Sequence, residues 1–140
     1  MTEIHKHITL KTANNSFKEA ERKLKVIFKK ISVSESDMHN LLVASSEAVN
    51  NAVQHGNKHD PAKNILIDVD YVGNELTVSI QDEGGGFDPT NLPDPLLPEN
   101  LLKPSGRGIH IMKSLMDNVS YNFTPRGTKI IMKLRVHKDS

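Results

Sequence analysis

Glu47, Asn51 and His55 stand four residues apart in a run that reads Glu-Ala-Val-Asn-Asn-Ala-Val-Gln-His-Gly over residues 47–56. On a helix, positions i, i+4 and i+8 stack along one face. A carboxylate, a side-chain amide and an imidazole would then stand in line, with the small Ala48 and Ala52 close by. Such a stripe is odd for solvent and odd for a core, and reasonable for the wall of a site. An amide oxygen is a hard ligand that suits magnesium, which takes one or two protein oxygens and completes its shell with water and substrate phosphates. A carboxylate one turn away can take a proton from an attacking hydroxyl or water. Taken alone, the three residues could equally be a surface carboxylate, a local hydrogen bond and a partner for the helix C-terminal dipole.

Three further groups follow in order. Asp82-Glu83-Gly84-Gly85-Gly86-Phe87 comes directly after an apolar strand pattern. A carboxylate at a strand end can accept from an amino group such as the exocyclic amine of adenine, and glycines beside it let backbone approach a flat ring. Ser105-Gly106-Arg107-Gly108-Ile109 stands immediately before a helical pattern. Exposed N–H groups at a helix start bind anions, and Arg107 can pair with a phosphate. Gly127-Thr128 enters the last strand. Each short glycine motif is common by itself and could be an ordinary turn. Four in a fixed order are far more specific.

The elements that would position these groups are legible from hydrophobic period. Residues 2–11 alternate, with Ile4, Ile8 and Leu10 on one face. Asn14, Asn15 and Ser16 offer an N-cap to a helix whose apolar stripe is Phe17, Ala20, Leu24, Ile27, Phe28 and Ile31. A second helix starts after Ser34 or Ser36 and runs through Leu41, Ala48 and Ala52, with Gly56 where a C′ glycine would end it. Ile65, Ile67, Val69 and Tyr71, then Gly73-Asn74, then Leu76, Val78 and Ile80 read as a hairpin. Five of the seven prolines fall within residues 83–105, which show no sustained period and are bracketed by glycines; we read this stretch as a lid. A short helix from Arg107 and two strands, Val119 to Thr124 and Lys129 to Val136, close the chain. The order β-α-α-β-β-lid-α-β-β predicts an α+β two-layer sandwich with a mixed, mostly antiparallel sheet and helices on one face. It is not a Rossmann unit, because the glycines after Asp82 open a long loop rather than a helix.

At 140 residues the chain is expected to form one domain over 1–140. It has no cysteine, hence no disulfide, thiolate nucleophile or zinc-thiolate site. No apolar run approaches 18 residues and no charged start leads into an apolar stretch, so a membrane span and a signal peptide are not expected and a cytoplasmic protein is. The net charge of +1 conceals an asymmetry. Residues 1–31 carry eight basic and three acidic side chains, residues 32–100 two and twelve, and residues 101–140 eight and two. That argues against a uniformly basic nucleic-acid surface and leaves room for a divalent cation in the acidic middle. Asn50, His110 and the histidines at 5, 7, 39, 59 and 137 have no spacing that suggests a metal site.

In this order the four groups resemble the motifs of the GHKL (Bergerat-fold) ATPase superfamily, nearest to its branch of small bacterial anti-sigma factor/serine-protein kinases. The 47–56 run resembles that branch's N box, Asp82-x-Gly84-x-Gly86-Phe87 its G1 box, and Gly106-Arg107-Gly108-Ile109 its G2 box, where Leu is common in place of Ile109. Gly127-Thr128 resembles the closing Gly-Thr. The resemblance implies the Bergerat fold, with an ATP lid over roughly residues 83–105. It implies ATP and Mg²⁺ as cofactors, Asn51 as the Mg²⁺ ligand and Glu47 as the general base. Asp82 would bind the adenine amine, with Gly84 and Gly86 shaping the pocket and Thr128 beside the base. Gly106, Arg107 and Gly108 would cradle the phosphates, and His55 would support the site.

The expected function is that of an anti-sigma switch kinase. It would hold a sigma factor inactive and phosphorylate Ser or Thr on an anti-anti-sigma antagonist of the STAS type, acting as a homodimer. Two other readings share these motifs. One is a nucleotide-sensing, partner-switching module without catalysis. The other is the detached ATPase half of a split histidine kinase, which would need a separate protein to present the acceptor histidine.

Overall fold

The computed structural model describes residues 3–84, 106–124 and 126–137. Strand β1 (Ile4–Lys11) leads into helix α1 (Ser16–Ile31) and helix α2 (Glu35–Asn51), whose last turn widens into a π-helical turn over Ala52–Gly56. Strands β2 (Asn64–Val72) and β3 (Glu75–Gln81) follow as a hairpin. Helix α3 (Gly106–Leu115), strand β4 (Asn118–Thr124) and strand β5 (Gly127–Arg135) complete the order. The sheet runs β1-β2-β3-β5-β4, and all four pairings are antiparallel.

Period-2 alternation explains the two layers. Ile8, Ile67, Ile80 and Ile130 stand opposite one another across four strands and are all buried. The core they begin is filled from the helices by Leu24, Phe28, Leu41, Val49 and Met112, each fully buried. Leu24, Phe28 and Ile31 come from the predicted stripe of α1, whose other face is rich in lysine. The alternate residues point away from the helices. There His5 Nδ1 lies 2.6 Å from Asp70 Oδ1 and His7 Nδ1 lies 2.7 Å from Asp68 Oδ1, both pairs exposed and so of little worth to stability. The pairing raises the His5 pKa, chiefly through the hydrogen bond to Asp70. Part of the acidic middle is therefore spent on the open sheet face, remote from the cavity described below.

Helix starts and stops differ in two places from the sequence expectation. Ser34 caps α2 as expected, accepting from the Asp37 N–H at 3.1 Å, an interaction typically worth about 1 kcal/mol. At α1, Asn15 occupies the cap position without a side-chain bond. Ser16 instead closes the preceding turn, its hydroxyl donating to the Lys11 carbonyl and accepting from the Ala13 N–H. The second difference is Gly56. It lies inside the π-helical turn rather than in a left-handed C′ position, and the chain leaves through Asn57 at φ −83°. The reason for glycine there is contact, taken up next.

The predicted stretch 83–105 lies outside the described residues apart from Glu83 and Gly84, as does Gly86. Among the described residues, no helix is long and apolar enough to cross a membrane.

Candidate functional site

Sheet order makes the base of the site. Because β3 and β5 are neighbours, the residue that follows β3 meets the start of β5 although 46 positions separate them. The Asp82 N–H donates to the Thr128 carbonyl at 3.0 Å, and the Thr128 N–H donates back to Asp82 Oδ1 at 3.1 Å. The Gly84 N–H adds a third bond, to the same Oδ1, at 3.0 Å. Asp82 is 5% exposed. Burial pushes its pKa up, while the two amide bonds and the more distant Lys63 pull the other way. The result is a buried carboxylate held by one oxygen.

Three glycines surround it, and each is explained by what a side chain would meet. A β-carbon on Gly56 would overlap the Asp82 carboxylate at Oδ2, one on Gly127 would overlap the Asp82 main chain, and one on Gly84 would overlap the Gly56 carbonyl. Gly127 also holds φ +152°, which side chains rarely adopt. The π-helical turn brings Gly56 to this point. An inserted residue in a helix turn is a frequent device at functional sites.

Below the cradle, Asn57 ties three segments together. Its side chain is 1% exposed, donates to Thr12 Oγ1 at 2.7 Å and to the Asn64 carbonyl at 3.0 Å, and accepts from the Glu83 N–H at 2.7 Å. The end of β1, the start of β2 and the residue after Asp82 are thus pinned to the end of the π-helical turn.

Asn51, Ala52, His55, Gly56, Ile80, Asp82, Tyr121, Phe123, Thr128 and Ile130 line one cavity. Its walls are apolar and aromatic with a few polar groups, the usual make-up of a small-molecule site. Tyr121 and Phe123 stack with ring centroids 6.1 Å apart. Burial raises the Tyr121 pKa, so its phenol remains a donor. Burial, with the charge of nearby His59 second, lowers the His55 pKa and leaves that imidazole neutral near pH 7.

Away from the sheet, α3 packs across α2, and the contact falls on the other predicted group. A β-carbon on Gly108 would stand 3.0 Å from Glu47 Oε2 and 3.6 Å from Asn51 Nδ2. Glycine at 108 thus lets the first turn of α3 come down on the carboxylate and the amide. Asn51 is 5% exposed, and its Nδ2 has no hydrogen-bond partner among the described residues. A buried amide left unpaired is costly unless something else completes it. Among the described residues no group of three or more His, Asp and Glu stands close enough to hold a metal ion.

The structure therefore brings Glu47, Asn51 and Gly108 together at one end, and Asp82, Gly84, Thr128 and His55 around the other, with Asn51 and His55 lining the same cavity as Asp82. Gly106 opens α3 and Arg107 follows it in the same turn. Sequence reasoning missed the contact role of Gly56, the keystone Asn57, and Tyr121 and Phe123. The two aromatics were accessible, since residues 121, 123, 128 and 130 share one strand face with 80. Asn57 carried no local signal beyond following the glycine.

A two-layer fold with this cavity between α2 and the β3–β5 end defines a nucleotide-binding ATPase domain. Residues 10–134 match the family described as the histidine kinase-like ATPase domain, and the chain belongs to that family. It is 33% identical over 106 residues to the anti-sigma F factor of Clostridium perfringens, covering 72% of this chain and 74% of that protein. It is 31% identical over 113 residues to the serine-protein kinase RsbW of Bacillus cereus, covering 74% and 70%. A crystal structure of the RsbU and RsbW domains of a Mycobacterium tuberculosis protein superposes with a TM-score of 0.74 at 21% identity, covering 98% of this chain and 34% of that one. The histidine kinase domain of Erythrobacter litoralis EL346 gives 0.55 at 13% identity, covering 86% and 61%. These two likenesses concern the fold.

Proposed function

We propose that this chain is an ATP-dependent anti-sigma regulatory factor that sequesters a sigma factor and phosphorylates Ser or Thr on a STAS-type antagonist. What carries the reading is the junction at Gly108, where a helix start meets a carboxylate and an amide at one end of a cavity whose other end holds a buried carboxylate. The names of the Clostridium and Bacillus relatives support it.

Asp82 accepts the adenine amine, the glycine cradle bringing the ring against backbone, with Thr128 beside it. The phosphates lie toward α3, where the N–H groups at Gly106, Arg107 and Gly108 favour anions, and where the Arg107 guanidinium pairs with them. Asn51 fits Mg²⁺ as a lone hard ligand. The ligand would be its side-chain oxygen, since the unpaired Nδ2 is a donor and holds no metal. Among the described residues no group of three or more acidic or histidine side chains stands together, so most of the ion's shell would be phosphate and water. Such an ion supplies charge neutralisation at the phosphates when bound. Glu47 takes the proton of the acceptor hydroxyl as its oxygen bonds to the γ-phosphorus and the bond to the β–γ bridging oxygen breaks, releasing ADP. His55, neutral, supports the wall without adding charge.

The unit is a single ATP-binding domain over 1–140, with 83–105, including Gly86, closing on nucleotide. It works in the cytoplasm, where a sigma factor is met, and as a homodimer. The test is purified protein with Mg-ATP and a cognate STAS-domain antagonist. Acid-stable phosphoserine or phosphothreonine on the antagonist supports the reading. Nucleotide affinity without any transfer would reduce the protein to a sequestering module, and an acid-labile product would indicate histidine chemistry.

A further inference from the structure

Three buried side-chain polar atoms among the described residues have no hydrogen-bond partner: Ser45 Oγ, Asn51 Nδ2 and Tyr121 Oη. Asn51 and Tyr121 line the same cavity. An unpaired buried hydroxyl destabilises the protein that carries it, and a phenylalanine would fill the same volume without that penalty. The hydroxyl therefore makes sense when something else occupies the cavity. Tyr121 stands on β4 opposite Ile130, which stands opposite Ile80 on β3, and both isoleucines line the cavity with it. At the same end, Asp82 offers only acceptor oxygens. A purine presents both an amine to donate and ring nitrogens to accept, so a carboxylate satisfies one half of its edge and a donor is needed for the other.

We infer that Tyr121 is a base-reading residue whose hydroxyl donates a hydrogen bond to a ring nitrogen of the bound adenine. The inference rests on the ATP reading above and adds a contact to it. Tyrosine suits the task because its ring packs beside Phe123 while one polar atom is left for the ligand. Sites built around such a hydrogen bond discriminate against ligands that cannot complete it, because the buried group is then left unpaired.

The experiment is calorimetric binding of ATP and of 1-deaza-, 3-deaza- and 7-deaza-ATP to wild type and Tyr121→Phe, with thermal unfolding of both proteins free of nucleotide. Tyr121→Phe should bind ATP about 10-fold more weakly while unfolding at the same temperature or higher. One deaza analogue should bind wild type about 10-fold more weakly than ATP and should lose nothing further in Tyr121→Phe, as a shared contact requires. Unchanged ATP affinity in Tyr121→Phe overturns the inference, as does the same analogue ratio in both proteins. Should the variant fail to fold, the wild-type panel decides, because three analogues binding as tightly as ATP leave no ring-nitrogen contact. Failure of the ATP reading shows separately, as wild type with no affinity for any adenine nucleotide.

Discussion

The two ends of the cavity are built on different principles. At the sheet end, Asp82 is surrounded by backbone from three segments, two amide bonds fix one of its oxygens, and Asn57 locks the layer beneath. At the helix end, Glu47 and Asn51 face the first turn of α3 across a glycine, and the Asn51 amide is left incomplete. At the first end the carboxylate is held by the protein's own backbone before anything binds, and only the Tyr121 hydroxyl is left over. The second is finished by what binds. A site that must recognise one constant group and transfer another benefits from that division, because preorganised contacts hold the ligand while the reacting end adapts around it.

The largest expected effect breaks the helix end alone. Glu47→Ala should lower phosphate transfer to the antagonist by about 10²- to 10⁴-fold, the usual range for a lost general base. ATP affinity should stay near wild type, because the cradle is untouched. Rates from radiolabelled transfer and affinities from calorimetry, measured on the same preparation, check this. Transfer at the normal rate would remove the base assignment.

Asp82→Asn breaks the other end, and should do so without loss of fold. The asparagine Oδ1 can still accept from Gly84 and Thr128, and the ionised group that burial penalises is gone. Free-protein stability should hold or rise while ATP affinity falls about 10- to 100-fold, the scale of one lost hydrogen bond to a charged group. The amide would also turn a donor toward the adenine amine. Equal losses of stability and affinity would mean that Asp82 is structural instead.

Gly56→Ala should sharpen the contrast by destabilising the cradle itself. The added methyl meets a carboxylate backed by strand, so relief requires backbone movement, at a cost of roughly 1–3 kcal/mol. Chemical denaturation reads the loss directly, and ATP affinity should fall with it. The sequence pointed to this glycine for another reason, as a helix stop. A local pattern can identify a glycine but not the atom that excludes a side chain. That atom came from a residue 26 positions away, just past the end of β3, where the π-helical turn sets Gly56 against it.

The same reasoning explains what else was legible. Hydrophobic period located α1, α2, the β2–β3 hairpin and the final strands because each buries one face. The Glu47, Asn51 and His55 stripe was legible because its residue types are unusual for a core or a solvated surface, and the three glycine groups because they follow it in a fixed order. The acidic middle misled in part. Asp68 and Asp70 belong to the alternate face of β2 and pair with histidines of β1, a separation that register decides and composition cannot express. Asn57 was invisible because its three bonds run to residues 7, 26 and 45 positions away.

The smallest effect is a titration, and it separates the two ionisable groups within the cradle end by sign. Burial lowers the folded pKa of His55 below 6.5, so below that pH the unfolded chain binds the proton first. The contribution of His55 to stability is then complete above about pH 6.5 and is lost as pH falls toward its lowered folded value. Asp82 runs the opposite way. Its folded pKa lies above 3.8, so between those two values the folded chain holds the extra proton and stability falls as pH rises. Denaturation midpoints across pH 4–8 for wild type, His55→Gln and Asp82→Asn resolve the two. His55→Gln should flatten the decline on the acid side of pH 6.5, whereas Asp82→Asn should remove a decline that runs with rising pH in the carboxylate range. If both variants changed the profile in the same direction, burial would not be what shifts both groups. A cradle that disfavours charge on each of them requires opposite slopes, because one group is charged when protonated and the other when it is not.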